Sequence, residues 1–331
     1  MHPGMSQLPT IAPLPASGSV PEFSVIIVSL NGARRLPACL NALEASLGRF
    51  ARPATEVIVV DNGSHDDTSR VVRDGYPWVK LLRAPKNLGF AGGNNLGLAH
   101  ATGRIPVLLN DDTYPQQGWL EALHRAAAAH PQWGALGCLL LYPADHRVQH
   151  AGGVIEGNAL TKHMGWGDAE NDWVSREPFE ADYVSGAAMA LRREALEELG
   201  ALDAAYFPIY FEETDLCVRF RAAGYGIHMV PASVVLHDES QVTGLRSRGF
   251  YIKYQTNRLR FILKTRTRAQ LVETLRAEMG WLWWHHPWDQ LVPLTVAWAK
   301  NLMRAPATWV ARRRHFALIR RARKSRSHTG T

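Results

Sequence analysis

The chain has 331 residues, of which 46% are hydrophobic and 20% charged, and its formal net charge is +7. This composition is far from the apolar-poor, charge-rich balance of a disordered protein, and the length allows one large α/β domain with an appendage. The charge is uneven, because residues 241–331 carry +16 and residues 1–240 carry −9. A basic segment of this kind suits nucleic acid, an anionic membrane surface or solubility, and charge alone does not choose among them.

Membrane, secretion and metal signals are weak in this sequence. No run reaches the roughly 18 consecutive apolar residues of a spanning helix, the longest candidate being residues 291–298. Residues 1–22 contain several prolines but lack the basic start and apolar core of a signal peptide, so we expect a flexible lead-in. The three cysteines are far apart, which argues against a disulfide framework or a zinc module. These observations predict a cytoplasmic protein.

From residue 23 onward, strand and helix patterns alternate. FSVIIV is typical of a strand buried on both faces, and the following leucines at 36, 40, 43 and 47 recur with helical spacing. We predict further strands at 56–60, 79–82, 105–109 and 183–192, and further helices from about residue 64 and at 90–102, 193–199 and 212–223. The alternation predicts a doubly wound, mostly parallel α/β sheet that binds ligands beyond the carboxyl ends of its strands.

Two other parts of the chain lack this alternation. Residues 143–182 are rich in Gly, His, Trp and Asp and have weak periodicity, so we expect an irregular segment that shapes an acceptor cleft. The short apolar run 234–236 leads into His237. After about residue 249, helical patterns rich in Arg and Trp continue to about residue 320.

Acidic residues follow two of the predicted strands. Asp61 could accept hydrogen bonds from a nucleobase or ribose, or could simply form a turn. Asp111 and Asp112 repel each other unless a cation compensates, so a hard divalent ion on diphosphate oxygens would explain them, with an exposed turn as the alternative. His237 would complete a metal site with Asp112 if the fold joins them, although a lone histidine is more often structural.

Two further motifs could contribute to a site. Glu212, Glu213 and Asp215 begin a predicted helix, where the macrodipole favours carboxylates, and one of them could also act as a general base. The segment 87–95, NLGFAGGNN, is neither a dinucleotide fingerprint nor a P-loop. Its glycines permit close backbone approach to a ligand, and its asparagines offer donors and acceptors for a sugar or nucleotide.

The order of these motifs resembles the inverting glycosyltransferases of family 2, which have the GT-A fold, and especially the bacterial rhamnosyltransferase-like members. The resemblance covers about residues 23–264 and rests on the segments FSVIIVSLNGARRLPACLNAL, EVIVVDNGSHDDT, NLGFAGGNNLGLAHATG, LLNDDT, VSGAAMALRREAL and YFEETDLCVRFRAAGYGIHMVPASVVLH. It implies a glycosyltransferase domain at 23–249, followed by a helical, basic C-terminal extension at 250–331.

The resemblance also implies residue roles. Asp112, with His237, would hold Mg²⁺ or Mn²⁺, and Glu213 would be the catalytic base, with Glu212 or Asp215 as catalytic or positioning alternatives. The nucleotide-sugar contacts would come from Ser29, Asn31, Asp61, Asn87, Gly92, Asn94, Asn95 and Asp111. This sequence departs from the family at two places, since the usual Asn-Pro-Asp is Asn-Asp-Asp and the usual Glu-Asp pair is Glu-Glu, which makes the base one methylene longer.

The implied reaction is the inverting, metal-dependent transfer of a sugar, rhamnose from dTDP-rhamnose, to a hydroxyl of a bacterial cell-surface glycan. Alternatives are a nucleotidyltransferase, which would release pyrophosphate, and an inactive sugar- or nucleotide-binding module. A nucleic-acid-binding protein would explain the basic tail but not the acidic clusters.

The expected partners follow from the same reaction. They are a nucleotide sugar and a glycan or lipid-linked glycan acceptor, with no specific nucleic acid, and a homo-oligomer is compatible with the sequence. An anionic membrane surface, at the inner face of the cell membrane, is a further expected partner of residues 250–331. That segment holds six of the 11 tryptophans, Trp281, Trp283, Trp284, Trp288, Trp298 and Trp309.

Overall fold

The computed structural model describes residues 11, 14, 19–52, 54–239, 247–285 and 291–329. Most of the predicted lead-in and Trp288 therefore lie outside the described residues. The described chain forms one large mixed sheet with helices on both faces, followed by a helical C-terminal segment.

The secondary structure begins with a strand and ends with a long helix. The strands are β1 (Phe23–Ser29), β2 (Thr55–Asp61), β3 (Lys80–Arg83), β4 (Ile105–Asn110), β5 (Thr113–Pro115), β6 (Trp133–Leu141), β7 (Val148–His150), β8 (Gly153–Ile155), β9 (Thr161–His163), β10 (Phe179–Glu180), β11 (Ala188–Leu191) and β12 (Gly226–His237). The helices are α1 (Leu36–Ser46), α2 (Thr68–Gly75), α3 (Gly89–Leu98), α4 (Trp119–Ala129), α5 (Arg193–Leu199), α6 (Glu212–Ala222), α7 (Arg248–Thr265), α8 (Arg268–His285), α9 (Leu291–Met303) and α10 (Ala305–Thr329).

The main sheet has the strand order β10-β12-β6-β11-β4-β1-β2-β3, with β5 on β12 and β7 on β6. Strands β4, β1, β2 and β3 are parallel, as the alternation predicts. Strand β11 runs antiparallel between β4 and β6, and β6 is parallel to β12. The sheet is therefore mixed, and the carboxyl ends of β1, β2 and β4 meet at one edge.

Both faces of β1 are buried, which explains its unbroken apolar sequence. Val25 and Ile27 pack into one hydrophobic core, together with helices α1 and α4. Ile26 packs into the core on the other face of the sheet, which includes residues of α3 and α6.

Several elements differ from those predicted. The predicted strand 183–192 is shorter, as β11, and the run 234–236 is the end of the long strand β12. Short strands β7–β10 lie in the segment 143–182. Helix α4 and strand β6 were not predicted, and β6 is buried along its whole length, so it has no alternating pattern to reveal it.

The C-terminal helices pack on the α/β part and on each other. Helix α7 contacts α6 and α9, and α10 contacts α5, α6 and α7. Helix α7 begins two residues before the predicted start of the extension. In the ranges that the structure describes, none of the helices combines the length and apolar character needed to cross a membrane.

Candidate active site

A cavity of about 770 Å³ lies beyond the carboxyl ends of β1 and β4. It brings together six of the predicted site residues, Asn87, Asp111, Asp112, Glu212, Glu213 and His237. The other polar side chains that line it include Arg35, Asn62, Thr161, His163, Tyr183, Ser185, Tyr210, Thr214, Glu239, Tyr251, Lys253 and Tyr254. The carboxylates that follow β4 and those that begin α6 therefore face one space.

Asp111 is held by an arginine that precedes α1. Arg35 Nε donates to Asp111 Oδ1 at 2.9 Å, and Arg35 Nη2 lies 2.8 Å from Asp111 Oδ2. Burial raises the pKa of Asp111, and the guanidinium opposes that rise. This two-point pairing fixes the loop after β4 against the loop after β1.

Asp112 faces His237, the last residue of β12. Asp112 Oδ1 lies 3.3 Å from His237 Nε2 and accepts no hydrogen bond from any described residue. His237 Nδ1 lies 2.6 Å from Gln149 Oε1, which fixes the proton on Nδ1. The Nε2 lone pair, which accepts a long 3.4 Å hydrogen bond from Asn110 Nδ2, therefore points toward the Asp112 carboxylate.

Two electron-pair donors that face each other fit a cation between them. In the described ranges, no cluster of three or more His, Cys, Asp or Glu side chains could hold a metal ion. Asp112 and His237 would thus fill two ligand positions of a divalent cation and leave the others to substrate oxygens and water. Asp111 and Asp112 are both buried, so these adjacent carboxylates do not form an exposed turn.

Asp61, at the end of β2, lies outside the large cavity and is almost fully buried. Its Oδ1 accepts from the Ser64 N–H at 2.8 Å, and the Ser69 hydroxyl donates to Oδ2. Burial alone would raise the pKa of Asp61, but these hydrogen bonds lower it. The carboxylate orders the loop after β2, beside a second, open cavity of about 400 Å³ that includes Arg83.

The two other predicted residues near β1 belong to the same loops. Asn31 has a φ of 52°, and its Oδ1 accepts from the His65 N–H at 2.9 Å, which links the loops after β1 and β2. Ser29 is fully buried and does not line the cavity.

The asparagines and Gly92 in the segment 87–95 differ in position. Asn87 lines the cavity, and its Oδ1 accepts from the Gly89 N–H at 2.8 Å. Asn94 donates to Phe90 O within α3, and Asn95 exchanges two hydrogen bonds with the backbone of Leu202.

These last two side chains are buried in packing roles, and Gly92 does not line the cavity. The neighbouring glycines bring α3 close to β1. A Cβ on Gly97 would lie 2.3 Å from Ile26 Cγ2, so this helix needs glycine at the contact.

Glu212 and Glu213 begin α6 and have different surroundings. Glu212 is 1% exposed, and its Oε2 accepts no hydrogen bond from the described residues. Burial and the adjacent Glu213 raise the pKa of Glu212 well above its usual range. Burial also raises the pKa of Glu213, to about 7. Glu213 therefore titrates near neutral pH, which suits a general base.

Asp215 points away from the cavity into a buried ion cluster. Lys264 of α7 lies 2.7 Å from Asp203 Oδ2 and 2.9 Å from Asp215. The Tyr206 hydroxyl donates to Asp215 at 3.1 Å, and Arg219 lies 3.5 Å away. Asp215 thus joins α6 to α7, which is a structural role.

Helix α7 also fixes the turn that precedes the glutamate pair. Tyr210 and Phe211 have φ values of 85° and 74°, which is strained for residues with a side chain. Asn257 Nδ2 donates to the carbonyl oxygens of Tyr206, Ile209 and Tyr210 at 2.6, 2.9 and 3.2 Å. These hydrogen bonds stabilise the turn, so the position of Glu213 depends on the C-terminal helices.

Sequence reasoning missed several residues that line the cavity or support its side chains. Arg35 and Gln149 had no motif to mark them, because they act through pairing with Asp111 and His237. The aromatic side chains of α7 were assigned to the extension, although Phe250, Tyr251 and Tyr254 line the cavity. The one local signal for an aromatic lining was the sequence YFEETD, in which two aromatic residues directly precede the carboxylates.

Residues 24–200 match the family model described as glycosyl transferase family 2. An N-acetylglucosaminyl-diphospho-decaprenol L-rhamnosyltransferase of Mycobacterium tuberculosis is 30% identical, over 60% of this chain and 72% of that protein. An uncharacterized protein of Sinorhizobium fredii is 32% identical over 68% of this chain, which spans only 25% of that relative.

The fold is similar to that of a solved mannosyltransferase from Pyrobaculum calidifontis in complex with GDP-Man and Mn²⁺. The TM-score is 0.54 at 21% identity, and the match covers 95% of this chain and 89% of that one. This chain therefore belongs to glycosyl transferase family 2 and has the GT-A fold that its motifs predict.

Proposed function

We propose that the chain transfers rhamnose from dTDP-rhamnose to a hydroxyl of a bacterial cell-surface glycan, with inversion at the anomeric carbon. The observation that carries this proposal is the convergence of Glu213, Asp111, Asp112 and His237 on one cavity. The name of the Mycobacterium tuberculosis relative supports the choice of rhamnose.

The reaction would be a direct displacement. The acceptor hydroxyl oxygen forms a bond to the anomeric carbon, Glu213 takes the hydroxyl proton, and the bond from that carbon to the diphosphate oxygen breaks. The diphosphate keeps the electron pair and leaves as the nucleoside diphosphate. A carboxylate with a pKa of about 7 is well matched to this proton transfer at neutral pH.

Asp112 and His237 would hold a divalent cation, Mg²⁺ or Mn²⁺. When bound, this ion supplies positive charge that neutralises the diphosphate of the donor. The Mn²⁺ in the solved mannosyltransferase supports this assignment. Asp111, held by Arg35, would orient the donor beside it, and Asn87 would contact the donor from the segment before α3.

We further propose a lipid-linked acceptor and a peripheral contact with the inner face of the cell membrane. In the part of the chain that the structure describes, 12 of the 15 exposed large apolar side chains lie between Val272 and Val310. The charges within this segment cancel, three Lys+Arg against three Asp+Glu, and the basic residues of the C-terminal part lie on either side of it. Exposed tryptophans beside arginines suit an anionic lipid surface.

On α8 the apolar side chains form one stripe. Val272, Leu275, Met279 and Trp283 are exposed and are spaced by three or four residues, so they share one face of the helix. If a membrane covers this stripe, altering the stripe should reduce vesicle binding. If a second copy of the chain covers it, vesicle binding should stay unchanged.

The test of the proposed function is a panel of nucleotide sugars with Mn²⁺ or Mg²⁺, scored by the released product. We expect nucleoside diphosphate release that is fastest with dTDP-rhamnose and depends on an acceptor. Pyrophosphate release would identify a nucleotidyltransferase instead. Nucleotide binding without turnover of any sugar would indicate an inactive binding module.

A further inference from the structure

The lining of the cavity includes an aromatic cluster from α7 and the turn before α6. Phe250 and Tyr254, one helical turn apart, have nearly parallel rings with centroids 5.8 Å apart. Tyr210 packs edge-on against Phe250 at 5.3 Å, and Phe211 packs against Tyr254 at 5.1 Å. All of these rings line the cavity.

This cluster is built as a rigid surface. The Tyr254 hydroxyl accepts from the Thr161 N–H at 3.0 Å, which joins its ring to the start of β9. Tyr210 and Phe211 precede the glutamate pair directly, so the same turn positions these two rings and Glu213. Phe250 and Tyr254 are only half-buried, which leaves ring surface for a ligand.

A positively charged side chain, Lys253, lies on the same helix and also lines the cavity. Lys253 is exposed, and no salt bridge joins it to any residue in the described ranges. Glu239 also lines the cavity and is the acidic side chain that would compete for it. An aromatic surface with one cation fits a sugar ring that carries a phosphate group, because polarised C–H bonds stack on aromatic faces and a phosphate pairs with an ammonium.

We propose that Phe250, Tyr254 and Lys253 of α7 form the acceptor subsite and bind a pyranose linked to a diphosphate, the ring on the aromatic side chains and the diphosphate on Lys253. This inference rests on the proposed function, since an acceptor is needed beside Glu213. The residues lie beyond the stretch 24–200 that matches the family model, so the subsite is a property of the C-terminal helices. Acceptor choice would then be separate from donor choice.

The experiment measures acceptor binding and acceptor kinetics on the full chain. The probes are N-acetylglucosamine diphosphate carrying a short prenyl chain and the neutral methyl glycoside of the same sugar. The variants are Phe250→Ala and Lys253→Gln, with Trp309→Ala and Lys300→Gln as matched controls outside the cavity. Binding is measured by calorimetry with dTDP and Mn²⁺ present, so it requires no turnover.

We expect Phe250→Ala to weaken binding of both probes about tenfold. Lys253→Gln is expected to weaken the diphosphate probe about fivefold to tenfold and to leave the neutral probe unchanged. In turnover, KM for the acceptor rises while KM for the donor stays within about twofold. Unchanged acceptor binding in both variants would overturn the subsite, as would equal losses of donor and acceptor affinity. A wild type that releases no nucleoside diphosphate from any sugar would refute the proposed function, while the calorimetry still decides the subsite.

Discussion

Glu212 and Glu213 are neighbours in the chain and both line the cavity, but Glu212 is 1% exposed whereas Glu213 is half-buried. Glu212 is buried with an unpaired oxygen among the described residues, and burial and the adjacent Glu213 raise its pKa well above the usual range. Glu213 lines the cavity and has a pKa of about 7.

Glu213→Gln should therefore lower kcat by about 100-fold or more, because the amide cannot accept the proton. Donor binding should stay almost unchanged, as measured by calorimetry with dTDP. The wild-type rate should rise with pH through about 7, because the base acts in its deprotonated form. A small loss in Glu213→Gln, or a larger loss in Glu212→Gln, would contradict the assignment of Glu213 as the base.

The Asp112–His237 pair predicts dependence on a divalent cation. Excess chelator should abolish turnover, and Mn²⁺ or Mg²⁺ should restore it. Asp112→Ala should abolish turnover and weaken Mn²⁺ binding in the presence of dTDP, measured by electron paramagnetic resonance. The fold should persist, because the hydrogen bond from the Asp238 N–H uses the Asp112 backbone carbonyl. Full activity in chelator would contradict the assignment. Mn²⁺ binding by Asp112→Ala as strong as that by an exposed-site control, such as Asp145→Ala, would also contradict it.

At the scale of elements, α7 is joined to the catalytic part by buried charges. Lys264 pairs with Asp203 and Asp215, and Arg260 lies 3.2 Å from Asp203. Burial alone would raise the pKa of both carboxyls, but Lys264 and the neighbouring arginines hold both below the usual range. Removing the Lys264 ammonium would leave the negative charge of the two buried carboxylates only partly neutralised.

Lys264→Met is therefore expected to lower the free energy of unfolding by about 3 kcal/mol. Lys300→Met on α9 should change it by less than about 0.5 kcal/mol. Because the folded-state pKa values of Asp203 and Asp215 are lowered, their stabilisation is present above the ordinary carboxyl pKa and is lost as the pH falls below it. Urea unfolding at pH 7 and pH 3 should show the difference between wild type and Lys264→Met shrinking in acid. An equal difference at both pH values would contradict this account.

The elements also show what the sequence could predict. The β1–α1–β2 pattern and the acidic residues at strand ends follow from local periodicity, and parallel pairing then brings such ends to one edge. The insertion of β11 antiparallel between β4 and β6 depends on pairing between distant residues, which no local pattern encodes. The contribution of α7 to the cavity was missed for the same reason, since Asn257 and Lys264 reach the turn and the ion cluster only in the folded chain.

At the scale of the whole molecule, the charge is separated between the acidic catalytic part and the basic C-terminal helices. Each basic residue near an anionic surface contributes about 1 kcal/mol, and the exposed tryptophans of α8 and α9 could enter the headgroup region. The full chain should sediment with anionic vesicles, less so at high salt, and weakly with neutral ones. Replacing Trp283, Trp284 and Trp298 together by alanine should reduce this binding, while Trp166→Ala, exposed elsewhere, should not. Equal binding by both variants, or none by the wild type, would rule out the membrane contact.

The central claim is sugar transfer with Glu213 as the base, and one measurement tests it most directly. Wild type and Glu213→Gln are incubated with dTDP-rhamnose, Mn²⁺ and the prenyl-diphosphate acceptor, and dTDP and the new glycosidic bond are followed together by nuclear magnetic resonance. The account predicts one dTDP for each sugar transferred, inverted anomeric configuration, and a rate about 100-fold lower in the variant. Retained configuration, or equal rates in the two proteins, would contradict it.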